Sequence, residues 1–297
     1  MPIDQLQLNF NPESLKLLNL IIGLIMFGVA LDLKIEDFKR IAASPIPPLI
    51  GLAAQFFLLP ALSFLWTIIL KPQPSLALGM ILIAACPGGN VSNFLTNLAR
   101  GNTALSISIT AISTAVALVM TPLNLTFWGH LNAATAPILH QVHLDPLDVF
   151  YTVVIILGIP LLAGMLCAHH APKLAARLRK PIKTFSIVVF ISFIVAAFAL
   201  NFDNFLNYVP QIWFAVFIQN GLALFGGYAT SRLFRLPKRD ARAVSIEVGI
   251  QNSALGLALV FEFFAGLGGM ALIAAWWGVW HLISGLTLAL IWSKRPV

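Results

Sequence analysis

The chain has 297 residues, of which 59% are hydrophobic and 10% are charged, and its mean hydropathy is +0.90. Soluble domains carry about 25% charged residues, so this composition excludes an ordinary soluble protein and indicates that lipid surrounds much of the chain. The net charge of +7 does not indicate a nucleic-acid partner, because the basic residues lie in short loops between apolar runs. These runs are long and continuous rather than short and alternating, which predicts membrane-spanning helices.

Nine transmembrane helices are predicted. In chain order they cover residues 15–33, 47–70, 75–99, 103–128, 147–169, 184–203, 210–234, 241–264 and 268–293. Of the 18 Lys and Arg residues, all but Lys16 and Lys71 fall on one side of this arrangement. Because basic loops remain in the cytoplasm, we expect a multi-pass protein of a bacterial-type inner membrane, with the N-terminus outside and the C-terminus in the cytoplasm.

The third and eighth spans differ from the others because polar and helix-breaking residues interrupt them. The third carries Pro87, Gly88 and Gly89 in its middle, and the eighth carries Gly249 within the polar stretch 247–253. Proline removes a helix hydrogen bond and glycine adds backbone freedom, so both spans are predicted to be broken helices.

Broken spans in both halves of the chain indicate an inverted repeat. In secondary transporters of this plan, the broken helices meet near the membrane midplane and form the binding site. One repeat would cover about 15–128 and be one helix short, and the other would cover about 147–293. Together they would form a single transmembrane transporter domain covering residues 1–297.

Glu247 is the one carboxylate predicted deep inside a span, because Asp32, Asp240 and Glu262 lie near span ends. An acid in hydrocarbon costs roughly 2.5–3.5 kcal/mol on insertion scales, so such residues are functional by default. Glu247 is either a protonated structural residue or a cation ligand, and Gln251, four residues on, lies on the same helical face. Hard oxygen ligands suit sodium, with a proton as the competing ion.

Neutral oxygen atoms cluster around the first break. Ser92 and Asn93 follow it, and Ser106 and Thr110 lie four residues apart on the next span, hence on one face. Such side chains also link packed membrane helices through hydrogen bonds, and this alternative stays open for each of them. As a set beside a broken helix, they favour a cation site.

Further polar residues lie inside apolar spans. Gln55 is an isolated amide in the second span, where it is either a site residue or a link between helices. Gln219 and Asn220 in the seventh span are interpreted as structural. His281 is the one histidine predicted within a span, and it is either a buried core donor or a substrate contact.

Enzyme signatures are absent from the sequence, which contains no HExxH, GxSxG, Walker or GxGxxG motif. The two cysteines, Cys86 and Cys167, form no disulfide framework and no zinc-binding spacing. We therefore expect neither an enzyme nor a bound cofactor.

Three segments of the sequence are distinctive. They are LIMFGVALDL (24–33), PGGNVSNFLTNLARGNTALSISITAIST (87–114) and SIEVGIQNSALGLAL (245–259). These segments resemble the bile acid:sodium symporter family, and the resemblance covers nearly the whole chain. It implies two inverted five-helix repeats arranged as a panel and a core domain, with the third and eighth spans as crossing helices. The chain resembles the nine-helix form, which lacks the first helix.

The resemblance also implies the ligands of two ions and an anion. One sodium ion would be held by Ser92, Asn93, Ser106, Thr110 and Glu247. The second would be held by Gln55, Glu247, Gln251 and the carbonyls of Val248 and Ile250. The anion would face half-helix N-termini, whose N–H groups favour negative charge. Its contacts would be Asn90, Asn252, Ser253 and His281.

The favoured interpretation is a sodium-coupled symporter of a small organic anion, such as a bile acid, a pantoate-like hydroxy acid or a keto acid, working by alternating access. The expected partners are this anion, two sodium ions as coupling ions and the lipid bilayer, with no nucleic acid. The alternative is a proton-coupled carrier or sodium/proton exchanger in which Glu247 relays the proton. The cluster of uncharged oxygens favours sodium, because a proton needs no such cage.

Overall fold

The computed structural model describes residues 3–5, 20–21, 23–28, 30–31, 44–142, 150–151, 154–200 and 202–295. These residues form helices and turns, and the described ranges contain no β-strand. The helices are α1 (Ile46–Leu70), α2 (Pro74–Ala85), α3 (Val91–Leu98), α4 (Thr103–Leu131), α5 (Ala136–Val142), α6 (Ile159–His170), α7 (Pro172–Leu200), α8 (Phe202–Leu233), α9 (Lys238–Gly249), α10 (Ser253–Phe264) and α11 (Gly268–Ser293). A short 3-10 helix, Ile3–Gln5, precedes them.

Four of the described helical segments are long and apolar enough to cross a membrane. They are α1, α4, the part of α8 from Ile212 to Leu233, and α11, while α2, α6 and α10 are shorter apolar helices. Large apolar side chains are exposed on their outer faces, as at Ile69 (72%) and Phe225 (71%), where lipid covers them. The protein is therefore an all-helical, polytopic membrane protein.

The spans predicted at 47–70, 103–128 and 268–293 agree with α1, α4 and α11 to within three residues. The sixth span is predicted at 184–203, but α7 begins earlier, at Pro172. The loop predicted there is helical because it is rich in Leu, Ala, Arg and Lys, which favour helices.

Other predicted bounds differ in smaller ways. The helix of the seventh span, predicted from residue 210, begins at Phe202. The first span, predicted at 15–33, is helical at residues 20–21, 23–28 and 30 and forms a turn at Leu31, and its other residues, including Asp32, lie outside the described ranges.

Helix α1 contains a wide π-helical turn at Ala54–Leu58. Pro60 follows it and has no N–H to donate to the carbonyl four residues earlier, which accounts for the irregular turn. Such turns are frequent at functional sites. Gln55 lies within this turn and is fully buried.

Both predicted helix breaks are confirmed. After α2 the chain is extended at Cys86, and it resumes a helix only at Val91; after α9 it is extended at Ile250 and resumes at Ser253. Each break leaves backbone groups that lipid cannot satisfy.

The two breaks cross and satisfy each other. Gly88 and Gln251 form an isolated antiparallel bridge. The Gly89 N–H donates to the Ile250 carbonyl at 2.7 Å, and the Asn252 N–H donates to the Pro87 carbonyl at 2.8 Å. The crossing is thus held by main-chain hydrogen bonds between the two halves of the chain.

Equal spacing relates the two crossing helices. Both α2 and α9 have 12 residues, and their first residues, Pro74 and Lys238, are 164 positions apart. A left-handed residue precedes each helix by three positions, Lys71 with φ 48° and Arg235 with φ 60°. The same turn therefore leads into both crossing helices.

Candidate functional site

Glu247 lies at the centre of a cage of hydroxyl groups. Its Oε2 accepts hydrogen bonds from Ser92 Oγ at 2.6 Å and Ser106 Oγ at 3.0 Å, and its Oε1 accepts one from Thr110 Oγ1 at 2.6 Å. All four side chains are at most 1% exposed. Three helices, α9, α3 and α4, thus converge on one carboxylate.

Two further residues complete this cage. Asn93 Oδ1 lies 3.2 Å from Thr110 Oγ1, so all five residues predicted for the first ion lie together. Thr96, which the sequence reasoning did not assign to the site, donates to Ser106 Oγ at 3.3 Å. It follows Ser92 by four residues on α3 and so shares its face, a signal that could have identified it.

The charge of Glu247 has no basic partner among the described contacts, since all three of its hydrogen bonds come from neutral hydroxyls. Glu247 is the tenth residue of α9, about 14 Å along the axis from the start of the helix, which is roughly half the hydrocarbon thickness. A buried carboxylate surrounded by oxygen atoms at that depth is an arrangement that a small cation would complete.

A reciprocal amide pair lies beside the break of α9. Gln55 Nε2 donates to Gln251 Oε1 at 2.7 Å and to the Cys86 carbonyl at 2.8 Å. Gln251 Nε2 donates to Gln55 Oε1 at 3.2 Å and to the Val248 carbonyl at 2.6 Å. This pair brings together three residues predicted for the second ion.

The other two predicted members of that second set are placed differently. The Ile250 carbonyl is bonded to Gly89 N–H in the crossing, and the described hydrogen bonds of Glu247 all belong to the first cage. A Cβ at Gly88 would collide with Glu247 Oε1, so the glycine allows the carboxylate to lie against the crossing.

The residues predicted to contact an anion divide into two places. Asn90 and Asn252 are the N-cap residues of α3 and α10, and Ser253 is the first residue of α10. The Asn252 side chain accepts from the Leu255 N–H at 3.1 Å, whereas Asn90 makes no capping bond. His281 lies on α11, is 5% exposed, and has no hydrogen-bond partner at Nδ1. No described hydrogen bond joins it to the other three.

Gln219 and Asn220 link helices, in agreement with the structural interpretation. Gln219 Nε2 donates to Ser63 Oγ and to the Met80 carbonyl, both at 2.9 Å. Asn220 Nδ2 donates to the Gly249 carbonyl at 2.8 Å, at the break of α9. Gln55 serves the Cys86 carbonyl in the same way at the other break, so each break has an amide partner on a neighbouring span.

Replacing Asn220 by alanine is expected to destabilise the fold by about 1–2 kcal/mol, because it leaves the buried Gly249 carbonyl without the amide donor of Asn220. Thermal unfolding in detergent measures the effect. Ser231→Ala is the matched control, since that hydroxyl bonds only within the same helix, to the Gly227 carbonyl. Equal losses in the two variants would contradict the role given to Asn220.

The two halves of the crossing differ in polarity. Ile83 stands in α2 where Glu247 stands in α9, since these residues too are 164 positions apart. Ile83 is fully buried, and a Cβ at Gly256 would lie 2.6 Å from its Cδ1, so the two residues are in close contact. One half of the crossing therefore holds a carboxylate in a polar cage, and the other is filled by an apolar side chain.

Comparison with known proteins gives a consistent result. The sequence signature of the Sodium Bile acid symporter family matches residues 19–208. The uncharacterized sodium-dependent transporter YocS of Bacillus subtilis (strain 168) is 32% identical over 278 residues, which is 94% of this chain and 83% of YocS.

Similar sequences also occur in plants and animals. The probable sodium/metabolite cotransporter BASS1, chloroplastic, of Oryza sativa subsp. japonica is 33% identical over 93% of this chain, and the match spans 65% of that protein's length. The P3 protein of Mus musculus is 31% identical over 84% of this chain and 52% of its own length. With its crossing broken helices and these matches, the chain belongs to the sodium bile acid symporter family, a family of sodium-dependent transporters.

Proposed function

We propose that this protein is a secondary active transporter that carries a small organic anion together with sodium by alternating access. One observation carries the proposal: Glu247 is fully buried and receives hydrogen bonds from three hydroxyl groups on two other helices. Each hydroxyl has lone pairs that can turn toward an ion once its proton turns away from the carboxylate. A carboxylate with several neutral oxygens is a ligand set for a hard cation such as sodium.

Two sodium ions are proposed, with Glu247 shared between them. The first ion is assigned to Ser92, Asn93, Ser106, Thr110 and Glu247, and the second to Gln55, Glu247, Gln251 and the carbonyls of Val248 and Ile250. The contacts that join Gln55, Gln251 and the Val248 carbonyl support the second set. Without an ion, the amide donors of Gln55 and Gln251 satisfy these oxygens.

The anion is assigned to the N-terminal ends of α3 and α10, with Asn90, Asn252, Ser253 and His281 as contacts. Free N–H groups and the partial positive charge at a helix N-terminus favour a carboxylate or another anionic group. Bile acids, pantoate-like hydroxy acids and keto acids share this anionic chemistry. The unpartnered Nδ1 of His281 supports its place as a polar contact.

The proposed architecture is a single transmembrane domain, 1–297, with nine helices in two inverted repeats that form a panel and a core domain. The repeats cover about 15–128 and 147–293, with the N-terminus outside and the C-terminus in the cytoplasm of a cell with an inner membrane. The equal lengths and spacing of α2 and α9 support the repeat.

Coupling follows from the shared crossing. Proposed cation ligands such as Ser92 and Glu247 lie on the same broken helices as the proposed anion contacts Asn90, Asn252 and Ser253, so each ligand orders part of the other's site. Binding of one therefore raises the affinity for the other, and the effect is reciprocal.

Transport by the purified protein in liposomes tests the proposal. A panel of radiolabelled carboxylates would be offered under an inward sodium gradient, an inward proton gradient, or neither. Accumulation of one or more anions only with sodium supports the symporter. Accumulation driven by the proton gradient without sodium would instead support a proton-coupled carrier with Glu247 as relay.

Uptake should be electrogenic, because two sodium ions with one monoanion carry one net positive charge inward. A membrane potential of 100 mV, negative inside, adds about 2.3 kcal/mol per charge, which is roughly fiftyfold in the limiting accumulation ratio. Accumulation would be compared at zero potential and at a potential set by potassium and valinomycin. Equal accumulation in the two conditions would contradict the two-ion stoichiometry.

A further inference from the structure

The Glu247 cage lies among two half-helices, α3 and α9, and the full-length helix α4, which meet at one end of the molecule. Helix α9 starts there at Lys238, α3 ends there, and α4 starts there at Thr103. The turn between α3 and α4 contacts the start of α9, because the Asn102 N–H donates to the Arg239 carbonyl at 3.0 Å. Ser106, whose hydroxyl touches Glu247, is the fourth residue of α4 and so lies one turn from this end of the helix.

A row of oxygen atoms leads from the cage toward this end. Glu247 Oε2 is 3.0 Å from Ser106 Oγ, which is 3.3 Å from Thr96 Oγ1. Thr96 is fully buried and is the last residue of the row. The Gly101 N–H donates to the Thr96 carbonyl at 2.8 Å, and a Cβ at Gly101 would lie 2.8 Å from Thr96 Cγ2. The turn that contains Gly101, which is itself buried, thus packs directly against Thr96.

Two half-buried polar side chains stand at the outer end of this row. Asn102 Nδ2 donates to Asp240 Oδ1 at 2.8 Å, which ties the turn to the first turn of α9. The bond between Asn102 and Asp240 also holds the turn against α9, over the row.

Among the described residues of the other half of the crossing, no comparable row of oxygen atoms is present. Ile83 replaces the carboxylate and packs against Gly256. Its surroundings are the buried apolar residues of α2, α10 and α11, among them Leu255 and Met270. The polar route from Glu247 is thus one-sided.

We propose that the cation leaves the Glu247 cage past Ser106 and Thr96, and that the Asn102–Asp240 hydrogen bond closes the mouth of this route. The inference rests on the proposed sodium site and adds the path and its gate. Because each step exchanges one oxygen ligand for another a few ångströms away, the ion is never left without partners. Opening requires the turn at 99–102 to move away from α9.

Cysteine accessibility tests the route. The parent chain carries Cys167→Ala and keeps the fully buried thiol of Cys86. Labelling of this parent measures the background. Thr96→Cys would be labelled in right-side-out and inside-out vesicles with the membrane-impermeant cationic reagent 2-(trimethylammonium)ethyl methanethiosulfonate, in sodium chloride or choline chloride. Arg235→Cys, exposed in the turn before α9, identifies the face from which the route should open.

The expected result is that Thr96→Cys is labelled from the same face as Arg235→Cys and that sodium protects it. Sodium at ten times its dissociation constant leaves about one site in eleven empty, so labelling should slow about tenfold. Adding Asp240→Ala should speed labelling from that face, because the mouth loses its closing bond. Thr114→Cys is the matched control, because its buried hydroxyl bonds only the Thr110 carbonyl in the described contacts, two turns farther along α4.

Two results would overturn the route. One is labelling of position 96 only from the other face, or from neither face while position 235 is labelled; the other is faster labelling at position 114 than at 96.

Labelling from the expected face without sodium protection, in a chain that still shows sodium-driven uptake, would overturn the cage as the ion site. Loss of sodium-driven uptake in the wild type would instead count against the symporter itself. If Thr96→Cys fails to fold, the Asp240→Ala effect on sodium exchange in otherwise wild-type protein decides, with no change overturning the gate.

Discussion

Sodium should stabilise the purified wild-type protein, and Glu247→Gln should abolish this response. A ligand that binds only the folded state at ten times its dissociation constant adds about 1.4 kcal/mol to the free energy of unfolding. The amide oxygen of the glutamine can accept from the hydroxyls on one side of the cage and its NH2 can donate to a hydroxyl oxygen on the other, so the fold should persist while the negative charge is lost. Thermal unfolding in detergent, with sodium chloride against potassium chloride, measures the response.

Sodium-driven uptake of the anion should also fall in Glu247→Gln. Removing one partner of a buried charge pair costs about 2–5 kcal/mol, so the sodium affinity should drop by at least about thirtyfold. Glu262→Gln is the matched control, because Glu262 is an exposed carboxylate near the other end of α10. If lowering the pH stabilises the wild type but not Glu247→Gln, and sodium has no effect on either, Glu247 is a proton site and the proposed coupling ion is wrong.

Gly88→Ala should disrupt the cation cage without touching any of its ligands chemically. The added methyl would collide with Glu247 Oε1 and lie 3.0 Å from its Cδ, so the carboxylate must leave its place beside Ser92 and Thr110. Gly88 does not have a positive φ, so the backbone itself accepts alanine. We expect a loss of about 1–3 kcal/mol in stability from overpacking, and a weakened sodium response.

Two variants sharpen this test. Gly221→Ala is the control, since nothing lies within 4 Å of a Cβ there, and alanine in a helix should be neutral or stabilising. Adding Glu247→Asp to Gly88→Ala withdraws the carboxylate by one methylene and should restore part of the sodium-dependent stabilisation. Sodium affinity that is the same in Gly88→Ala and wild type would show that the carboxylate does not need its position against the crossing.

The sequence predicted the interrupted helices well because their signals are local. Pro87 with Gly88 and Gly89 interrupts the helix hydrogen bonding, and a carboxylate deep inside a span, such as Glu247, is costly enough to indicate function. The cage ligands were assigned by family resemblance, and the structure brings all five together. Their spacing alone left the alternative of ordinary links between helices.

Other features depend on contacts that no local pattern encodes. The bridge between Gly88 and Gln251 joins residues in opposite halves of the chain, and neither residue type predicts this contact. Thr96 resembles any hydroxyl of a membrane helix until Ser106 is seen beside it. The early start of α7 was missed because its basic residues indicate a loop by charge while their helix propensity is high.

The hydrogen bonds of the crossing also set an order of events during biosynthesis. Gly89 pairs with Ile250, and Pro87 pairs with Asn252, across more than half the length of the chain. While the ribosome is still making the second half, the Gly89 N–H and the Pro87 carbonyl do not yet have these partners, and lipid offers none. The first broken helix must therefore remain in a shielded or hydrated environment until the eighth span is inserted. Contacts so distant in sequence form late, which makes the last quarter of the chain the part on which completion of the crossing and of the proposed ion site depends.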